Sequence, residues 1–144
     1  MNDPHNLQRF VDAQNGVYDQ VRAELRSGHK SGHWMWFIFP QVRGLGHSHM
    51  AELFAIASRE EAAAYLNHPV LGTRLRECTQ LVTQVEGHTL EQILGYPDNL
   101  KFRSSMTLFA QVTDHGSLFV AALKKYCDGE PDPSTLERLG RPGL

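Results

Sequence analysis

Ser58-Arg59-Glu60-Glu61-Ala62-Ala63-Ala64-Tyr65-Leu66-Asn67-His68-Pro69-Val70-Leu71 decides the fold class. Ser58 and Glu61 stand at capping-box spacing: the serine oxygen can accept the Glu61 amide while the Glu61 side chain returns to the cap. The alanine run that follows favours helix. Asn67-His68-Pro69 closes that helix and opens another, with proline in the first turn. Val70, Leu71, Leu75, Cys78, Leu81, Val82 and Val85 then recur at helical spacing until Gly87.

The same grammar extends downstream. Thr89-Leu90-Glu91-Gln92 is a second capping box and predicts a short helix ending near Gly95. Asp98 or Asn99 is placed to cap the next helix, with Phe102, Met106, Phe109 and Val112 on its inner stripe. His115-Gly116 separates it from a helix carrying Leu118, Phe119, Ala122, Leu123 and Tyr126. Gly129 to Pro133 reads as a turn, Ser134-Thr135-Leu136-Glu137 opens a last short helix, and the tail from Gly140 is expected to be loose.

Upstream, Leu7, Phe10, Val11, Val17, Tyr18, Val21 and Leu25 form a helical stripe. It starts near Asp3-Pro4, stops at Gly28 and is open to a break at Asn15-Gly16. Ser48 is expected to cap a helix with Met50, Leu53, Phe54 and Ile56. Trp34 to Phe39 is apolar on all sides, which suits a short buried helix ending before Pro40 or a buried strand. The lack of partner strands favours the helix. The expected architecture is all-α, one compact domain over residues 1–144 with about seven helices and no significant sheet. They pack as an irregular bundle or short helical array. Its core spans about 4–128, and 129–144 supply a short C-terminal helix and tail.

With 144 residues the chain fits one domain. A net charge of −2 gives no general pull towards nucleic acid or an anionic membrane, so both are disfavoured as partners. Cys78 and Cys127 lie far apart, which suits two reduced thiols and a cytoplasmic setting. The N-terminus lacks the basic and apolar segments of a signal peptide, and Trp34–Phe39 is too short to span a bilayer. A monomer is expected; no protein partner can be named.

Chemistry concentrates in two stretches. Lys30 to Ser48 holds both tryptophans, His29, His33, His47 and His49, and the turn Arg43-Gly44-Leu45-Gly46 before Ser48. Glycines and a following helix N-terminus can cradle a phosphate or carboxylate, with Lys30 and Arg43 adding charge; a plain glycine loop is the competing reading. The histidine spacings match no metal motif, and no metal or cofactor is expected. His33 suits an acid–base or hydrogen-bonding role, or a structural one. Phe37 and Phe39 read as core, whereas Trp34 and Trp36, with polar N–H groups, are the better pocket walls. The second stretch sets Lys101, Ser104, Ser105 and Thr107 beside Asp98 and Arg103. It reads as an anion-binding face or a solvated one.

Longer blocks carry a resemblance. They are Arg9-Phe10…Ala13-Gln14, Lys30…His33-Trp34-Met35-Trp36-Phe37-Ile38-Phe39-Pro40-Gln41, Gly44-Leu45-Gly46, Glu61-Ala62…Tyr65-Leu66…His68-Pro69-Val70-Leu71-Gly72…Arg74-Leu75, and Lys101…Ser104-Ser105-Met106-Thr107-Leu108-Phe109. From about Leu7 to Tyr126 the chain resembles the domain-of-unknown-function 1810 family. The resemblance implies a mainly α-helical, soluble, mostly bacterial protein with no established catalytic residue.

The blocks coincide with the two polar stretches, so both are expected to line one pocket. Its candidate residues are Lys30, His33, Trp34, Trp36, Gln41, Arg43, Gly44, Gly46, Ser48, Arg74, Lys101, Ser104, Ser105 and Thr107, with His68 as a further contributor. The expected ligand is a small anion such as a nucleotide or phosphate ester, bound or acted upon. A helical protein-interaction module is the alternative.

Overall fold

Asp3 starts the first helix from a distance: its carboxylate accepts the amides of Leu7 (2.8 Å) and Gln8 (3.0 Å), two donors that the helix itself leaves unpaired. In the computed structural model, which describes residues 2–113 and 117–140, ten α-helices follow in order. They are α1 (Gln8–Asn15), α2 (Tyr18–Ser27), α3 (Met35–Ile38), α4 (His49–Leu53), α5 (Arg59–Asn67), α6 (Leu71–Gln84), α7 (Leu90–Leu94), α8 (Asp98–Ala110), α9 (Leu118–Tyr126) and α10 (Pro133–Arg138). Six of them have eight or more residues, close to the number expected. The break between α1 and α2 falls at Gly16, and α3 is the short aromatic helix before Pro40. His115-Gly116 and the tail beyond Gly140 lie outside the described residues.

α6 and α8 are the central pair. α6 packs on α2, α3, α5 and α9; α8 packs on α5, α7, α9 and α10. Aromatic rings knit these layers together. Phe37 meets Phe54, Phe54 meets Phe10, and Phe10 meets Tyr65 edge-on at 5.0 Å. Tyr65 continues to Phe109 and Phe109 to Phe119. A second branch runs from Trp34 through Phe39 to Phe102. Such tilted and edge-to-face pairs add specific geometry to the burial of large apolar surface.

Several expectations need correction. Ser58 accepts the Glu61 amide, but the Glu61 carboxylate does not return to the cap: Oε1 accepts the Ala57 amide and Oε2 pairs with Arg9 at 2.9 Å. The guanidinium wins because Glu61 is only 4% exposed and needs a countercharge. Arg9 also donates to the carbonyls of His5, Asn6, Leu53 and Ala55, fastening α1 to the segment before α5. The Ser48-capped helix stops at Leu53, and Ile56 instead forms a parallel bridge with Val42. Asp132, not Ser134, caps α10, with Pro133 in the first turn.

Gly72 marks the tightest approach between α5 and α6: a Cβ there would sit 2.0 Å from the Leu66 carbonyl oxygen. Because that atom is backbone, one helix would have to shift. Gly72→Ala is therefore expected to lower unfolding free energy by about 2 kcal/mol, measured by urea denaturation. An unchanged midpoint would show that the two helices separate freely.

Candidate functional site

Glu24 on α2 organises the entry to the aromatic segment. Its Oε1 accepts the amides of Ser31 (2.8 Å) and Gly32 (2.9 Å) and the Trp34 indole N–H (3.0 Å); Oε2 accepts from Gln20 (2.7 Å). Burial opposes its ionisation, but the bonds from Gly32, Ser31, Gln20 and Trp34 outweigh burial and hold its pKa down at about 2. With the loop so held, the Lys30 amide donates to the Ile93 carbonyl at 2.8 Å. The Lys30 ammonium bonds the Gly32 carbonyl (2.6 Å), faces the Trp34 ring and pairs with Asp98 on α8 at 2.8 Å.

Asp98 is shared. Its other oxygen lies 3.5 Å from Lys101 Nζ, one turn along α8, and that ammonium sits 5.4 Å from the centre of the Trp36 ring. The two polar stretches of the sequence therefore meet at Asp98. Beside it opens a recess of about 270 Å³. Gln41, Leu45 and Gly46 form one wall, Pro97 with Leu100, Lys101 and Ser104 of α8 the second, and Asp132 with Ser134 of α10 the third.

α10 is fastened over this site from the far end of the chain. Asp132 Oδ2 accepts from Ser104 Oγ (3.0 Å), the Thr135 amide (3.2 Å) and Thr135 Oγ1 (2.6 Å), while the Asp132 amide donates to Thr107 Oγ1 (2.8 Å). Arg103 donates to the carbonyls of Glu130 and Pro131. The Arg138 guanidinium lies on Gly44, whose φ is +98°; a Cβ there would come within 2.3 Å of Arg138 Nη1. Glycine at 44 thus serves the docking of α10.

Other expected site residues go elsewhere. Trp34 is buried, with its indole N–H spent on Glu24, so it is a core side chain rather than a pocket wall. Ser104, Ser105 and Thr107 are buried beneath neighbouring elements instead of lying on an open face. Ser104 still reaches the recess; Ser105 and Thr107 are not among its lining residues. Arg74 bonds Gln14 and Asn15 and stacks on Tyr18, away from the recess. His68 Nδ1 accepts the Val70 and Leu71 amides at the start of α6. His33 and Arg43 are exposed and line no wall of the recess. Ser48 caps α4 through the Ala51 amide, which fills the place an anion would take there. Among the described residues, no group of three or more His, Cys, Asp and Glu side chains is placed to hold a metal ion.

The recess also contains residues that local patterns did not single out: Leu45, Pro97, Leu100, Asp132 and Ser134. Asp132-Pro133 carried a usable signal, an acidic cap followed by proline at the first helical position. Larger clefts offer less chemistry. One of about 390 Å³ includes Arg103 and Cys127, but Arg103 is spent on backbone carbonyls and burial pushes the Cys127 thiol up from its ordinary pKa. One of about 400 Å³ runs between the C-terminal ends of α2 and α6, past Arg26, Glu86 and His88. All three of these side chains are exposed.

The chain belongs to a protein family of unknown function, DUF1810, whose model matches residues 4–139. It is similar to the conserved hypothetical protein Rv1873 from Mycobacterium tuberculosis. The crystal structure of that protein aligns with a TM-score of 0.95 and 56% identity, covering 97% of this chain and 100% of that one. No curated protein matches the chain. No helix among the described residues is long and apolar enough to cross a membrane.

Because the folded-state pKa of Glu24 lies below its ordinary 4.5, the stability it contributes is complete above about pH 4.5 and is lost as pH falls towards about 2. Glu24→Gln is expected to cost about 2 kcal/mol at neutral pH and to flatten the stability profile across that acid window. Denaturant titrations at stepped pH would check this. Parallel profiles for both proteins would remove Glu24 from the account.

Proposed function

We propose that this protein binds a small molecule through an anionic group, a carboxylate or phosphate, in the recess between the 41–46 segment, α8 and α10. One observation carries the reading. Lys101 lines the recess with a part-exposed ammonium, and its one ionic contact among the described residues is the 3.5 Å approach to a carboxylate that Lys30 holds more closely, at 2.8 Å. Most of its hydrogen-bonding capacity is open to a ligand. The first-turn amides of α8 are less available: Asn99 bonds the Gly95 carbonyl, and Leu100 and Lys101 bond that of Pro97. The side chain, rather than the helix end, would hold the anion.

The size of the recess narrows the ligand. About 270 Å³ is below the range of roughly 300–1,000 Å³ typical of drug-sized ligand clefts. A compact phosphate ester or carboxylate fits this volume better than a whole nucleotide. Leu45, Pro97 and Leu100 give it apolar sides.

A second reading, a docking site for a protein partner, draws on Tyr96 and Leu100, which stand 71% and 49% exposed at the start of α8. Single exposed apolar residues are common, and these two form a small patch.

Methyl phosphate is the direct probe. It is expected to raise the melting temperature of the native protein, since a ligand that binds only the folded state stabilises it. Lys101→Ala should abolish the rise while leaving the unliganded melting temperature within a few degrees of native, as expected for a part-exposed side chain. No rise with the native protein, or a rise retained in the variant, would contradict the reading.

A further inference from the structure

We infer that the recess takes an amphoteric ligand, one carrying an N–H donor as well as its anionic group; this deepens the anion-binding reading and rests on it. Lys30 and Lys101 share the single carboxylate of Asp98, which leaves one positive charge in excess. Asp132, on the third wall, cancels it. A ligand that was only an anion would meet the attraction of Lys101 and the repulsion of Asp132 in the same small space.

Asp132 is also half spent. Its Oδ2 takes the bonds from Ser104 and Thr135, whereas Oδ1 accepts no hydrogen bond among the described residues. Being bound at one oxygen fixes the orientation of the carboxylate without exhausting it. The Gln41 carboxamide likewise makes no side-chain hydrogen bond among the described residues, while the backbone around it is pinned: its carbonyl accepts the Ile56 amide at 2.9 Å and the Arg43 amide donates to Ile56 at 2.8 Å. The recess therefore presents a cation, a carboxylate with a free oxygen, and an amide able to donate or accept. An ammonium or N–H on the ligand would answer Asp132, its phosphate or carboxylate would answer Lys101, and Gln41 would bridge to either.

Small phosphoamines and amino acids belong to this class. Their two ends would select against simple anions, which leave the repulsion of Asp132 unanswered.

The test titrates methyl phosphate and phosphoethanolamine into the native protein, following backbone amide shifts of residues 41–46 and 98–104. Phosphoethanolamine is expected to bind at least about tenfold more tightly, the effect of one charge-assisted hydrogen bond. Asp132→Asn keeps an oxygen to accept from Ser104 and Thr135 but removes the charge. It should erase the preference, with methyl phosphate binding unchanged or tighter. Equal affinity of the two ligands for the native protein would overturn the amphoteric reading and leave the anion site standing; a preference that survives in Asp132→Asn would overturn it too. If neither ligand binds at millimolar concentration, both readings fall. The native comparison decides by itself if the variant disturbs α10.

Discussion

The part-buried pair between Lys30 and Asp98 is the constraint on which the site depends. The Lys30 side chain is 8% exposed and that of Asp98 19%, so both charges have given up much of their hydration. Desolvation of that size is tolerated only with good geometry and further partners. Both conditions are met here: the Gly32 carbonyl and the Trp34 ring complete the surroundings of Lys30, and Lys101 takes the second oxygen of Asp98. Removing Asp98 would leave the Lys30 charge without its counterion next to the aromatic core, and removing Lys30 would leave Asp98 with only the more distant Lys101 at 3.5 Å. The pair thereby dictates that the segment after α2 and the first turn of α8 meet in one arrangement, which in turn creates the wall from which Lys101 faces the recess.

Most polar side chains near this point are committed to holding the chain together. Glu24 holds a loop, Thr107 and Ser104 hold α10, and Arg103 holds the backbone that leads into it. Set against that background, Lys101, Gln41 and one oxygen of Asp132 are the groups with capacity to spare. A rigid frame with a few unspent polar groups is the usual makeup of a small-ligand site, because the frame fixes orientation before the ligand arrives.

Local signals in the sequence match the structure where the partners lie within four residues. Thr89 and Gln92 form the full capping box, Ser48 caps α4, and Gly28 ends α2 with a left-handed turn. Sequence and structure part where the partners lie far along the chain. Glu61 was drawn from its cap by Arg9, and Ile56 left its helix to pair with Val42. The hydroxyl face of α8 looked like surface because the element that covers it, α10, begins about thirty residues later. The meeting of the Lys30 and Lys101 stretches was legible as two clusters of chemistry, but the residue that joins them was not: Asp98 looked like a helix cap, and its carboxylate serves two lysines instead. Asp132 entered the site through tertiary packing, which no spacing within its own segment encodes.

A double-mutant cycle across Lys30→Met and Asp98→Asn, read by urea unfolding, tests the central constraint most directly. Each single change should destabilise the protein, and the double change should cost less than their sum by about 2 kcal/mol, the coupling of a desolvated pair in contact. Additive effects would contradict the account, because they would mean that the two side chains share a place in the fold without holding each other there.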